Sequence, residues 1–404
     1  CADLGTQLVE LWAIDKAGNA DFCETYLLVQ DNMGVCAPPG DKASVSGFLK
    51  TEDDNPLEGA MVDLQGQHPN LPPVSMSQMS DVQGGYVFSS AVPMSGSFTV
   101  TPEFDHNHLN GVTTYDLVLI NRHILGQELI DSPYKLIAAD ANKSGTITTF
   151  DIVEIRKMIL GIYNELPNNT SWRFVEKAFV FQNPQNPWDP NVPAFKEHIA
   201  VDNVQANYWG KDFVAIKIGD INDSAVPNAL APADDRSAGA YFFDTDNREV
   251  KTGEIFDVRI KGAEKALGYQ FTLNFKGLEL VELIPGEGMK TDNFAVFAQA
   301  ITTSVDGEAN EFTLRFRATR NGSLSELLKV SSAITKAEAY SPAGQRLDVA
   351  LRFNGQTLVN GPAFELFQNT PNPVSAQTQI TFNLPQAGEA TLTISTVDGR
   401  IVKR

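Results

Sequence analysis

The stretch Asp140-Ala-Asn142-Lys-Ser144-Gly145-Thr146-Ile-Thr148-Thr149-Phe150-Asp151 runs directly into Ile152-Val-Glu-Ile-Arg-Lys-Met-Ile-Leu160-Gly161. Oxygen-bearing side chains fall at positions 1, 3, 5, 9 and 12 of a twelve-residue loop, and glycine stands at position 6. A hard cation needs roughly six to eight oxygen ligands from a loop that turns sharply. Asp140, Asn142 and Ser144 supply three side-chain oxygens on alternate residues, and Gly145 permits the positive-φ turn that sends the chain back. Thr146 offers its backbone carbonyl. Asp151 closes the loop from the first turn of the following helix, where a carboxylate also meets the positive end of the helix dipole. The pattern is that of a calcium loop.

A second copy lies 35 residues earlier: Asp105-His-Asn107-His-Leu109-Asn110-Gly111-Val-Thr113-Thr114-Tyr115-Asp116, then Leu117-Val-Leu-Ile-Asn-Arg-His-Ile-Leu125-Gly126. Thr113, Thr114, Asp116, Val118, Ile120, Ile124, Leu125 and Gly126 each recur 35 positions on. This loop is poorer, because Leu109 at position 5 offers no side-chain oxygen and the glycine stands at position 7. Its candidate ligands are Asp105, Asn107, the Gly111 carbonyl and Asp116. Asp220 and Asn222, in the half-loop Gly219-Asp-Ile-Asn-Asp223, are candidates to complete it. The competing reading is a pair of polar turns that only cap two helices.

The duplication, with each helix ending in Ile-Leu-Gly and Asp where an EF-hand carries a bidentate Glu, resembles the type I dockerin repeat. That resemblance implies two loop-helix units packed on each other and a calcium requirement for folding. The positions that commonly hold a cohesin-contacting Ser-Thr pair are here Thr114-Tyr115 and Thr149-Phe150, and long inserts follow the second helix. Both features depart from the cellulosomal form.

At 404 residues the chain exceeds a single core and suits about three or four domains. A net charge of -19 argues against nucleic acid and anionic membrane as partners and suits a protein that holds divalent cations. No run approaches the ~18 to 20 apolar residues of a membrane span. The chain opens at Cys1 inside a strand-like pattern and is expected to be a fragment of something longer. Cys1, Cys23 and Cys36 all fall in its first tenth. Such clustering favours a disulfide and an oxidising, extracytoplasmic setting, with Cys1 to Cys23 the favoured pair and the pairing of Cys36 open.

Residues 1 to 36 carry alternating runs around an Asp15-Lys-Ala-Gly-Asn turn and resemble the end of an immunoglobulin-like domain of the HYR type. Residues 43 to 104, with Gly84-Gly-Tyr86-Val-Phe88 as their hairpin, resemble a carboxypeptidase-regulatory or CnaB-like β-sandwich. Residues 105 to 225 are read as the dockerin-like calcium module with an insert whose tryptophans, Trp172, Trp188 and Trp209, are expected to form a small core, with an aromatic platform for sugar as the competing reading. Asp223-Ser224-Ala225 matches the short O-glycosylation sequon of secreted proteins of gliding bacteria, which marks Ser224. Residues 226 to 238 form a linker. Residues 239 to 360 resemble a cohesin jelly roll through Gly268-Tyr-Gln-Phe-Thr-Leu-Asn-Phe and Leu278-Glu-Leu-Val-Glu-Leu. From 364 on, Gln368-Asn369-Thr-Pro371-Asn372-Pro373 and Asp398-Gly-Arg400 resemble a type IX secretion C-terminal sorting domain, which implies the type IX machinery as a partner.

Catalytic signals are missing. There is no Gly-x-Ser-x-Gly elbow, no Cys/His pair at a promising spacing and no Gly-rich phosphate cradle. His106-x-His108 lacks a third ligand for zinc. The acidic pairs are too many for one to stand out as a glycosidase pair. The expected fold is therefore mainly β, with tandem β-sandwich domains and one small α-helical, EF-hand-like calcium module. The expected role is a non-catalytic, calcium-stabilised structural or adhesion region of a secreted cell-surface protein, with self-association or cohesin/dockerin-type contacts. Two other roles fit the same residues: the accessory tail of a secreted hydrolase, and the subunit of a self-assembling extracellular fibre.

Overall fold

The computed structural model describes residues 5–14, 20–29, 42–228, 239–360, 365–366, 380, 382–383, 391–395 and 401–403. The Cys1 end of the expected disulfide, Cys36, and the motif residues Gln368, Asn369, Pro371, Asn372 and Pro373 lie outside these. The chain is mainly β and divides into two compact units. One comprises Cys1–Val112, Leu119–Ile155 and Asn164–Asp234; the other comprises Thr113–Val118, Arg156–Tyr163 and Asp235–Arg404.

In the first unit, β1 (Gly5–Ile14) and β2 (Ala20–Val29) pair antiparallel as the alternating runs require. A β-sandwich follows, built from β3 (Lys42–Lys50), β4 (Met61–His68), β5 (Leu71–Met79), β6 (Gly85–Pro93) and β7 (Ser97–Glu103). Side chains alternate in and out along β4 and β7, so Val62 and Leu64 of β4 and Phe98 and Val100 of β7 meet Val45, Leu49 and Phe88 in one core. The chain then leaves for three helices, α1 (Thr114–Ile124), α2 (Pro133–Ala139) and α3 (Thr149–Ile159). It returns as β8 (Trp172–Glu176), β9 (Ile199–Val201) and β10 (Phe213–Lys217).

These returning strands correct the reading of 162 to 224 as part of the calcium module. β10 lies parallel to β3 and antiparallel to β8, giving the sheet order β6-β3-β10-β8, while β9 extends the other sheet as β5-β4-β7-β9. Trp172, Phe174, Ile199 and Phe213 join the sandwich core. The loop-helix segment is thus an insertion between strands of one sandwich.

α1 and α3 repeat each other to their ends. Gly126 and Gly161 both stand at positive φ (67° and 75°). Gly126 N donates to His123 O and Gln127 N to Arg122 O; Gly161 N donates to Met158 O and Ile162 N to Lys157 O. This paired bonding is a Schellman stop, which explains why each Ile-Leu-Gly ends its helix. α2 was not anticipated. Ser132 caps it, accepting from Tyr134 N and Lys135 N ahead of Pro133, and its last residue adjoins Asp140.

The second unit is a β-sandwich whose strands run in the order 278–284, 311–318, 255–262, 240–245, 346–353, 338–340, 268–275, 300–305 and 294–297, with 328–331 also paired to 268–275 and 356–360 to 346–353. Strands Ile255–Gly262 and Glu311–Ala318 alternate strictly, placing Phe256, Val258, Ile260, Phe312, Leu314 and Phe316 in the core. Strands Gly268–Phe275 and Ala300–Val305 differ, being buried on both faces although one face carries Gln270, Thr272, Thr302 and Ser304. Within this unit, residues 113–118 and 156–163 cover that polar face. Thr114 N and Oγ1 donate to Gln270 Oε1 (2.6 and 2.9 Å), and Thr114 Oγ1 lies 2.7 Å from Ser304 Oγ. Thr302 Oγ1 donates to Leu160 O (2.7 Å) and Thr335 Oγ1 to Ile159 O (2.6 Å), so the orphan carbonyls of the α3 C-terminus find partners. Tyr115 stacks on Tyr340 at 4.9 Å, and Arg156 pairs with Asp306.

Candidate metal centre

The loop Asp140–Asp151 is organised from its two buried carboxylates. Asp140 Oδ1 accepts from Ser144 N (2.8 Å) and its Oδ2 from Gly145 N (2.8 Å), which folds the chain around the side chain. Asn142 Oδ1 also accepts from Ser144 N (3.0 Å), and Ser144 Oγ donates to the Thr146 carbonyl (3.1 Å). Asp151 Oδ2 accepts from Thr148 N (2.8 Å) and Thr148 Oγ1 (3.2 Å), and its Oδ1 from Asn142 N (3.2 Å). All five expected residues are therefore drawn to one loop. Burial pushes the Asp151 carboxyl up, against the downward pull of the Thr148 and Asn142 amides, and Asp140 adds to the rise. Positive charge placed between these two carboxylates would relieve both effects.

The weaker loop is built differently from the reading of 105 to 116 as one continuous copy. Asp105 Oδ1 accepts from Ser171 N (2.7 Å) and from His108 Nε2 (3.1 Å), so it does not repeat the bonding of Asp140. That bonding recurs instead at Asp220–Ala225. Asp220 Oδ1 accepts from Ser224 N (3.1 Å) and its Oδ2 from Ala225 N (2.8 Å). Ser224 Oγ donates to the Gly111 carbonyl (2.9 Å), as Ser144 Oγ does to Thr146. The residue at position 4 has φ of 58° in both, Lys143 in one and Asp223 in the other. A Cβ on Gly111 would meet Ala225 N at 2.5 Å, so only glycine lets the two chain segments close up. Asp220, Asn222, Ser224 and Gly111 thus occupy positions 1, 3, 5 and 7 of a loop whose halves are separated in sequence.

Downstream of Gly111, Thr113 N (2.8 Å) and Thr113 Oγ1 (3.0 Å) donate to Asp116 Oδ2, matching Thr148 and Asp151. Asp220 is 5 % exposed, and burial pushes its carboxyl up to about 6 although the Ala225 and Ser224 amides pull it down. Lys217, also buried, donates to His108 O (2.7 Å). His108 Nδ1 accepts from Leu166 N (3.3 Å) while Nε2 faces Asp105, which leaves neither ring nitrogen to a transition metal. Burial holds this imidazole below its usual range. Among the described residues no three His, Cys, Asp or Glu side chains gather as a metal-binding group. A cation in either loop would lean on amide, hydroxyl and carbonyl oxygens, the donors a hard ion prefers.

Ser224, which the sequon marks for glycosylation, has its hydroxyl turned to the Gly111 carbonyl. Reading Asp220-x-Asn222-x-Ser224 as a complete half-loop was open at the level of sequence, since it matches Asp140-x-Asn142-x-Ser144 residue for residue. Among the described residues no helix is long and apolar enough to cross a membrane.

No family model matches the chain, and no curated protein matches it. Similar solved structures include a chain of a type I cohesin–dockerin complex from Clostridium thermocellum (9% identity, 28% of this chain and 94% of that one, TM-score 0.22). A non-cellulosomal cohesin from Archaeoglobus fulgidus overlaps comparably (20% identity, 28% and 86%, TM-score 0.20). BcpA, the major pilin subunit of Bacillus cereus, overlaps more of the chain (8% identity, 80% and 70%, TM-score 0.23). Likeness this slight assigns neither function nor partner, and the functional reading rests on the residues.

Proposed function

We propose that the chain is a non-catalytic, calcium-stabilised structural region of a secreted surface protein exported by type IX secretion. The observation that carries the calcium part is the repeated bonding of Asp140–Gly145 and Asp220–Ala225, down to the Ser144 and Ser224 hydroxyls on the Thr146 and Gly111 carbonyls. One ion is assigned to Asp140, Asn142, Ser144, the Thr146 carbonyl and Asp151. The other is assigned to Asp220, Asn222, Ser224 and the Gly111 carbonyl. Asp116 follows Gly111 by the five residues that separate Asp151 from Thr146. The ions would supply charge neutralisation, and the protein's own amides hold each carboxylate in place beforehand.

The cohesin/dockerin-type contact belongs to the same reading. Thr114 and Tyr115, at the positions the dockerin resemblance marks for partner contact, are used on Gln270, Ser304 and Tyr340 of the chain's own sandwich. We read this contact as made in cis, to fix the fold, in preference to capture of a separate protein. With millimolar external calcium and affinity near ~10 µM, linkage contributes about 2.7 kcal/mol per site. Thermal unfolding with calcium and with excess EDTA tests the proposal. The melting temperature is expected to drop by several degrees in EDTA and to recover on adding calcium back; identical curves in the two conditions would refute it.

A further inference from the structure

A hollow of about 400 Å³ opens beside the loop at 140–151, on the first unit. Trp188 and Phe195 form its apolar walls, and Arg173, Asp189 and Glu197 its polar ones. Arg173, on β8, is 7 % exposed; its Nε pairs with Glu197 and its guanidinium lies 5.6 Å from the Phe195 ring centre. Its Nη1 finds no hydrogen-bond acceptor among the described residues. A buried N–H left in this state costs about 1 to 3 kcal/mol, more for a charged group, and calls for an explanation. Trp188 is seated over Gly145, where a Cβ would lie 3.5 Å from its Cγ, so the ring is held by backbone and not by a mobile side chain. Lys143 reaches Glu197 at 3.6 Å.

We propose that this hollow binds a neutral saccharide. Size and lining suit a ligand site, with mostly apolar walls and a few convergent polar groups. An aromatic face presented beside paired acids and bases suits a ring that has an apolar face and a hydroxyl edge. Arg173 offsets one of the two lining carboxylates, Asp189 and Glu197, so the hollow has no attraction for an anion. The chain's charge of -19 repels polyanions. Sugar hydroxyls would donate to the Glu197 and Asp189 carboxylates that line the hollow. Of the two roles the sequence leaves open for Trp188, core packing and a sugar platform, the hollow favours the second.

Affinity electrophoresis of the full chain, in gels containing soluble β-glucan, xylan or mannan and in one containing polygalacturonate, tests this. At least one neutral polymer is expected to retard the chain. Trp188→Ala should lower that retardation at least tenfold in apparent affinity, and Trp188→Tyr should restore most of it, with melting temperatures of both variants checked against the parent. If Trp188→Ala does not fold, the comparison of Trp188→Tyr with Glu197→Gln decides, the second losing affinity and the first keeping it. The proposal is overturned if no neutral polymer retards the chain, if polygalacturonate alone does, or if a folded Trp188→Ala variant is retarded like the parent.

Discussion

Asp220 is a buried carboxylate, 5 % exposed. Its carboxyl is pushed up to about 6, with burial as the first cause. A carboxyl that holds its proton more tightly when folded contributes stability at low pH and loses it as pH rises through the folded value. The calcium-free chain is therefore expected to weaken between roughly pH 4 and pH 6, by on the order of 2 to 3 kcal/mol, and Asp220→Asn to flatten that slope. Urea midpoints measured in EDTA across this window check it, and a parent midpoint that climbs with pH there would count against the burial argument. Ser224→Ala removes one proposed ligand oxygen and the bond to Gly111, and calorimetry is expected to show one of two proposed calcium sites weakened about tenfold. The bonding within 140–151 was foreshadowed in sequence because its oxygens are contiguous. For the weaker loop the sequence offered Asp220 and Asn222, but not the place of Ser224, which only the match of 220–224 to 140–144 betrays. Asp105, a candidate ligand by sequence, accepts from Ser171 N and faces His108 Nε2, and does not repeat the bonding of Asp140.

Repeated elements with different surroundings allow matched comparisons. Gly126 and Gly161 both end helices at positive φ, but a Cβ on Gly161 would lie 2.4 Å from Ile334 Cγ2 whereas one on Gly126 meets nothing within 4 Å. Gly126→Ala should cost about 1 kcal/mol for the left-handed backbone alone. Gly161→Ala should cost a further 1 to 3 kcal/mol or so for overpacking. Chemical unfolding of the two variants decides, and equal losses would contradict the packing of 156–163 on its sandwich. Thr114 and Thr149 form a second pair, the first fully buried on Gln270 and the second exposed. Thr114→Val is expected to cost roughly 1 to 3 kcal/mol by orphaning buried partners, and Thr149→Val less than about 0.5. Strand alternation made Ile255–Gly262 and Glu311–Ala318 readable in advance. Alternation alone does not reveal that the polar residues of Gly268–Phe275 and Ala300–Val305 bond helix ends.

Across the whole molecule, mainly-β architecture followed from the short alternating runs between turns. Strand membership did not, since β8, β9 and β10 reach the first sandwich only after the helical insertion, and long-range pairing leaves no local trace in sequence. α2 was signalled by Ser132-Pro133 but is too short for periodicity to reveal. On the proposed reading, two cation loops, one at 140–151 and one joining Gly111 to 220–224, tie distant parts of the chain to calcium. Counting bound calcium tests that claim most directly, by equilibrium dialysis of the full chain beside Asp220→Ala and Asp140→Ala. Two ions per chain are expected for the parent and one for each variant. A single ion in the parent that Asp220→Ala leaves untouched, or none at all, would contradict the split loop.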